Sequence, residues 1–130
     1  MTAAYMTAPA VTPIDTTEFK AGTTREEGRL HVRLWGHADV DARDAFDRFM
    51  AEVDREARAG AVGELVVDLR PLAFMNSSNL KTLVTLLNNV RQRPSSERYA
   101  IRFLRDRDAH WQERSLGALK AFAPGIVEID

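Results

Sequence analysis

The serine pair Ser77-Ser78, set in the run Asn76-Ser77-Ser78-Asn79-Leu80-Lys81, brings together the side chains of this sequence best placed for chemistry. A serine hydroxyl can accept a phosphoryl group, which adds about −1.5 to −2 charges and strong acceptor oxygens. Asn and Ser are also the residue types favoured at a helix start, and the apolar residues from Leu80 onward recur at helical spacing. Free N–H groups and the helix dipole stabilise a negative charge at such a start by about 0.3–1 kcal/mol, so modification would leave the fold intact. A partner docked over the turn would instead have to desolvate the new charge. A loss of a few kcal/mol there changes affinity by orders of magnitude. Taken by themselves, Ser77 and Ser78 are better explained as capping residues.

Other chemistries find less support. Asp68 and Arg70 follow an apolar strand, where sites of open α/β sheets gather, but an isolated carboxylate is best explained by a bond to nearby backbone or to Arg70. His31, His37 and His110 lack metal-ligand spacing, and His37-Ala38-Asp39 reads as a turn and helix cap. The 7 glycines form neither a dinucleotide fingerprint nor a phosphate loop. No nucleophile elbow surrounds a serine, and no set of residues supplies nucleophile, base and oxyanion donor together, so an enzyme is not expected. With no cysteine, disulfides and thiolate chemistry are excluded. No cofactor or metal is implied.

The elements that must position the serine turn can be read on either side of it. Leu65, Val66, Val67 and Leu69 form a nearly continuous apolar run, expected as a parallel strand covered on both faces. Leu80, Leu83, Val84, Leu86, Leu87 and Val90 mark the following helix. Upstream, residues 19–24 and 30–36 read as an antiparallel strand pair joined by a turn through Gly28. Asp39 or Asp41 would cap a helix running to Arg58, with Phe46, Phe49, Met50, Val53 and Ala57 as its apolar stripe. Downstream, residues 98–104 alternate as a strand, Asp108 would cap a helix to Phe122, and residues 126–129 form a last short strand. The expected fold is α/β: a mixed β-sheet with helices packed mainly on one side, in the order β-β-α-β-α-β-α-β.

Composition bounds the rest. A chain of 130 residues with 45% hydrophobic and 28% charged residues reads as one globular domain, with residues 1–13 as a flexible N-terminal tail and 14–130 as the domain. No apolar run approaches the roughly 20 residues that span a bilayer, and the first residues do not read as a secretory signal, so a cytoplasmic location is the default expectation. Eighteen basic residues against 19 acidic ones give a net charge of −1 and no bulk attraction to nucleic acid. Arg91, Arg93, Arg98, Arg102, Arg105 and Arg107 are interleaved with acids and read as scattered surface charge. Trp35 and Trp111 are assigned to core or edge packing.

The unit Phe74-Met75-Asn76-Ser77-Ser78-Asn79-Leu80, placed between strand and amphipathic helix, resembles the signature of STAS domains, the anti-sigma-factor antagonists of bacterial partner-switching systems. The family pattern reads D-S-S-G-L; here Asn76 stands for the Asp and Asn79 for the Gly, while both serines and the leucine match. The resemblance implies a STAS-like single domain that acts as a phosphorylatable binding module. Its second serine, Ser78, would be the phospho-acceptor. A related group of short bacterial regulators of biofilm formation, aligned on Asn76 and Lys81, would place it on Ser77 instead. Asn76, Asn79, Leu80 and Lys81 would belong to the partner-binding surface. The implied partners are a serine kinase of the histidine-kinase-like ATP-binding class, anti-sigma in type, and a metal-dependent serine phosphatase. Two rivals stand beside this reading: a non-switching STAS scaffold in a larger assembly or homo-oligomer, and a small-molecule or nucleotide-binding domain using the helix start as an anion site.

Overall fold

The computed structural model describes residues 11–130 of the chain. Its centre is the apolar run at residues 64–68, which forms strand β4 (Glu64–Asp68) in the middle of a seven-stranded sheet. On one side it pairs in parallel with β3 (Arg29–Ala38), on the other with β6 (Ala100–Leu104), and β6 pairs in parallel with β7 (Val127–Ile129). β2 (Phe19–Glu26) and β3 form the expected antiparallel hairpin, and the two-residue β1 (Ile14–Asp15) extends it at the edge. Gly28, with φ of 74°, makes the tight hairpin turn that a side chain would resist.

Register divides the sheet into two unlike faces. Leu30, Leu65 and Ile101 are aligned across three strands, as are Val32, Val67 and Phe103, and all six are buried. Against them pack Phe46, Phe49, Met50 and Val53 of α1 (Arg43–Ala59), Leu83, Leu86, Leu87 and Val90 of α2 (Ser77–Arg91), and Leu116 and Leu119 of α3 (His110–Phe122). These residues form one continuous hydrophobic cluster, so the three helices share one face, as expected. The opposite face has no helical layer among the described residues. Arg29 and Arg102 flank Glu64 at 3.1 and 3.0 Å, and Arg33 lies 3.0 Å from Asp68. The expectation that β4 is covered on both faces by packed elements is therefore corrected. Val66 is 4% exposed because its cross-strand neighbours are His31 and Arg102, whose long or broad side chains shield it.

Two strands were not foreseen, β1 and β5 (Leu72–Met75). β1 is too short to show alternation, and β5 follows Pro71 with only Leu72 and Met75 buried. The helix caps also differ from expectation. The chain makes a 3-10 turn at Val40–Ala42 before α1, and neither Asp39 nor Asp41 caps that helix. Nor does Asp108 cap α3, since Ala109 occupies that place and the Asp108 N–H is held by Asp106 Oδ1 at 3.0 Å. Of the expected tail, residues 1–10 lie outside the described residues, while Val11 is buried and the Thr12 N–H donates to Glu52 at 2.7 Å. No helix among the described residues is long and apolar enough to cross a membrane.

Candidate functional site: a serine turn clamped between two strand ends

The serine turn is placed by β5. That strand pairs in parallel with the last residues of β3, matching His37 with Phe74 and Ala38 with Met75. The Asn76 N–H then donates to the Ala38 carbonyl at 2.8 Å, which seats the start of α2 beside the end of β3. Asn76 is the N-cap, in extended conformation, and its Oδ1 accepts from the Ser78 N–H at 2.8 Å. The same oxygen accepts from the Ser78 hydroxyl, also at 2.8 Å. The Asn76 carbonyl accepts from the N–H groups of Asn79 and Leu80 at 2.9 and 3.2 Å, so one residue organises the whole first turn.

The two serines are thereby made unequal. Ser77 is exposed, whereas Ser78 is half-buried with its hydroxyl proton directed at Asn76. Leu80 is half-buried against the core, and Lys81 is exposed. Asn79 is fully buried: its Nδ2 donates to the carbonyls of Ala38 and Asp39 at 2.9 and 2.8 Å. Its expected place on the partner-facing surface is thus an internal one, because its amide ties α2 to the chain leaving β3. Replacing Asn79 with alanine strands two carbonyl acceptors in the interior and is expected to cost about 1–3 kcal/mol, measured by urea unfolding. A change within a few tenths of a kcal/mol would show that the clamp is dispensable.

Sequence reasoning missed the apolar rim around this turn. Val40 and Phe74 are 60% and 40% exposed, and each is covalently close to a group that clamps the turn: Val40 follows Asp39, and Phe74 lies two residues before Asn76. The signal was present in Val40, an aliphatic residue between Asp39 and Asp41 that matches no helical stripe. Also missed was the contact of α1 with α2 beside the turn, where the Thr82 hydroxyl donates to Asp47.

Asp68, weighed above as a strand-end carboxylate, is held as expected. Its oxygens accept from the Arg70 N–H and guanidinium at 2.9–3.0 Å and from Arg33 Nε at 3.0 Å. Burial pushes its pKa up, but the bonds from Arg70 and Arg33 more than offset this and hold it below the usual 3.8. Asp54 behaves alike: burial raises it, and Arg93, Tyr99 and Arg58 bring it below the ordinary value. Both folded values lie below the unfolded ones, so their stabilisation is complete above the unfolded pKa and is lost as pH falls through the folded one. The urea midpoint is expected to drop steadily below about pH 4, and an Asp68→Asn variant should show a shallower drop. An identical pH profile in that variant would count against the assignment.

The arginines of the second half separate as scattered charge. Arg93 pairs with Asp54, Arg102 with Glu64 and Asp130, and Arg98 donates to the carbonyls of Arg93 and Arg91. Trp111 packs against the core, while Trp35 is 38% exposed on the open sheet face with the Arg33 guanidinium 5.9 Å from its ring centre. No group of three or more His, Asp or Glu side chains is gathered for a metal among the described residues.

The sequence matches no protein-family model and no curated protein. Its backbone does match solved structures. The crystal structure of an anti-sigma factor antagonist from Mycobacterium paratuberculosis superposes with a TM-score of 0.59 at 17% identity, covering 85% of this chain and 88% of that one. The fold is the STAS fold. A second match, to the anti-sigma factor antagonist SpoIIAA in its unphosphorylated form, has a TM-score of 0.45 at 19% identity over 66% of this chain and 71% of that one. The mixed sheet with three helices on one face agrees with the architecture expected from the Phe74 to Leu80 signature.

Proposed function

We propose that this STAS-fold chain is a phosphorylatable binding module of a bacterial partner-switching system, with Ser78 as the acceptor and no catalytic activity of its own. The observation that carries the reading is the Asn76–Ser78 bond. Asn76 Oδ1 takes the hydroxyl proton as a hydrogen bond at 2.8 Å, which leaves the Ser78 oxygen lone pairs as the nucleophilic side of the group. An amide oxygen accepts a hydrogen bond but does not remove the proton. The general base and the ATP therefore belong to the kinase, in keeping with the histidine-kinase-like serine kinase that the signature implies. The Ser78 oxygen attacks the γ-phosphorus, ADP leaves, and the hydroxyl proton passes to the kinase's base.

In the unphosphorylated state the partner covers the turn, with Val40, Phe74 and the edge of Leu80 as apolar contacts and Ser77 and Lys81 as the polar rim. The phosphate at the helix start is stabilised within the module and adds a charge the partner would have to desolvate, so the complex dissociates. A metal-dependent serine phosphatase, acting like the kinase in the cytoplasm, restores the binding state.

Mass spectrometry of the intact protein and its peptides, isolated from its own cells with and without phosphatase treatment, tests this. The expected result is one phosphatase-sensitive phosphate on Ser78. A phosphate on Ser77 would move the acceptor to the exposed hydroxyl. A turn that stays stoichiometrically unmodified across growth conditions would sink the switch.

A further inference from the structure

The cleft between α1 and α2 opens at Lys81, one turn beyond the serines, and shares only that residue with the partner surface proposed for the turn. It encloses about 380 Å³ and has an apolar floor that includes Met50 and Leu86. Four cations line it, Arg43, Arg55, Arg58 and Lys81, against two carboxylates, Asp47 and Asp54. The carboxylates are already committed. Asp47 lies 3.7 Å from Arg43 and accepts from Thr82, and Asp54 is held by Arg93, Arg58 and Tyr99. Arg55 on α1 and Lys81 on α2 are exposed and make no ion pair among the described residues. An excess of two positive charges therefore stands over apolar surface, with the hydroxyl of Thr85 and the amide of Asn89 along the same wall.

We propose that this cleft is the docking site for a short acidic segment of a partner protein, carboxylates toward Arg55 and Lys81 and an aliphatic side chain toward Met50 and Leu86. Its length sets the size of the segment: Lys81 to Asn89 on α2 spans about 12 Å, roughly two helical turns. An acidic segment supplies the charge that the two free cations lack, whereas a basic segment would face unscreened repulsion.

The cleft also connects to the switch, a step that rests on Ser78 being the acceptor. Ser78, Thr82, Thr85 and Asn89 fall at intervals of four, three and four residues, one face of α2, and the last three line the cleft. Lys81, three residues beyond Ser78, is therefore within reach of a phosphate on that hydroxyl. The phosphate engages the cation that the acidic segment needs, and its own charge repels the segment from the mouth of the cleft. Release then follows from direct competition for Lys81.

The test uses the full chain, isotope-labelled for NMR, titrated with a short synthetic peptide of glutamate and leucine at helical spacing. A counterpart peptide with lysine in place of glutamate serves as control. The acidic peptide should shift the amides of Arg55, Lys81, Thr85 and Asn89, and the lysine peptide should not. An Arg55→Glu/Lys81→Glu double variant, altered only at exposed positions, should weaken acidic-peptide binding by about tenfold or more. Equal binding of both peptides, shifts centred elsewhere, or indifference to the double variant would overturn the proposal. So would concentration-dependent broadening of cleft resonances without peptide, which would assign the cleft to a second copy of the chain. Protein carrying phosphoserine at position 78 should bind the acidic peptide about tenfold more weakly, and unchanged binding would overturn the competition. An unmodified Ser78 in cells, by contrast, would sink the switch and leave the peptide result standing.

Discussion

Replacing Asp54 with alanine is expected to lower folding stability by about 3–5 kcal/mol. Asp54 lies on α1 and is 8% exposed. Its Oδ1 accepts from Arg93 Nη1 at 2.8 Å and from the Tyr99 hydroxyl at 2.6 Å, and its Oδ2 accepts from Arg93 Nη2 at 2.6 Å. One carboxylate thus joins α1 to the segment that leaves α2 and to the approach to β6. Without it the Tyr99 hydroxyl, pushed far up in pKa by burial and by the adjacent carboxylate, has no acceptor, and the Arg93 guanidinium is left largely buried without its countercharge. Asp54→Asn keeps one acceptor oxygen and the shape, and should cost about 1–3 kcal/mol. Urea unfolding of the two variants checks the order. A loss in Asp54→Ala below about 1 kcal/mol would mean that the pair behaves as an exposed one.

Gly36→Ala should be comparably damaging, at about 3 kcal/mol or more, and it should also disturb the serine turn. Gly36 has φ of 87° and sits where the pairing of β3 with β5 shifts register, between Gly36 and His37. A Cβ built there would lie 2.1 Å from the Glu18 carbonyl oxygen, which already accepts from the His37 N–H at 2.8 Å. Alanine therefore meets both a backbone obstacle and a disfavoured conformation, and relief requires β3 to move away from β2. The next residues of β3, His37 and Ala38, carry the pairing with Phe74 and Met75 that seats Asn76. Amide exchange at Ser78, Asn79 and Leu80 should accelerate in Gly36→Ala. Gly22→Ala is the control, since nothing lies within 4 Å of a Cβ at that strand position, and it should be neutral or slightly stabilising. If the two variants unfold alike, the register shift does not constrain the turn.

Much of this molecule is local and could be read in order along the chain. The run Leu65 to Leu69, the stripe Phe46, Phe49, Met50 and Val53, and the alternation Tyr99, Ile101, Phe103 each encode an element through its own period, because burial on one side imposes that period on the residues involved. A cap drawn from the run Asn76 to Asn79, and Asp68 held by Arg70, also follow from contacts within two residues, whereas the unequal burial of Ser77 and Ser78 does not follow from spacing. β5 was hidden because a four-residue strand with two buried side chains has too little pattern to stand out, and its existence depends on β3 offering an edge beside it.

The sequence by itself thus determined the three helices and five of the seven strands, the one-sided packing of the helices, and the position of a polar helix start after a central strand, since all three depend on neighbouring residues and on hydrophobic period. The tertiary structure alone decided that Asn79 points inward to the end of β3, that Val40 comes close to the serine turn, and that Arg55 and Lys81 line one cleft without carboxylate partners among the described residues. Those relations join residues about 25 to 40 positions apart, and no periodicity carries information across that separation. They exist because β3, β5 and two parallel crossover helices bring distant segments to one end of the sheet.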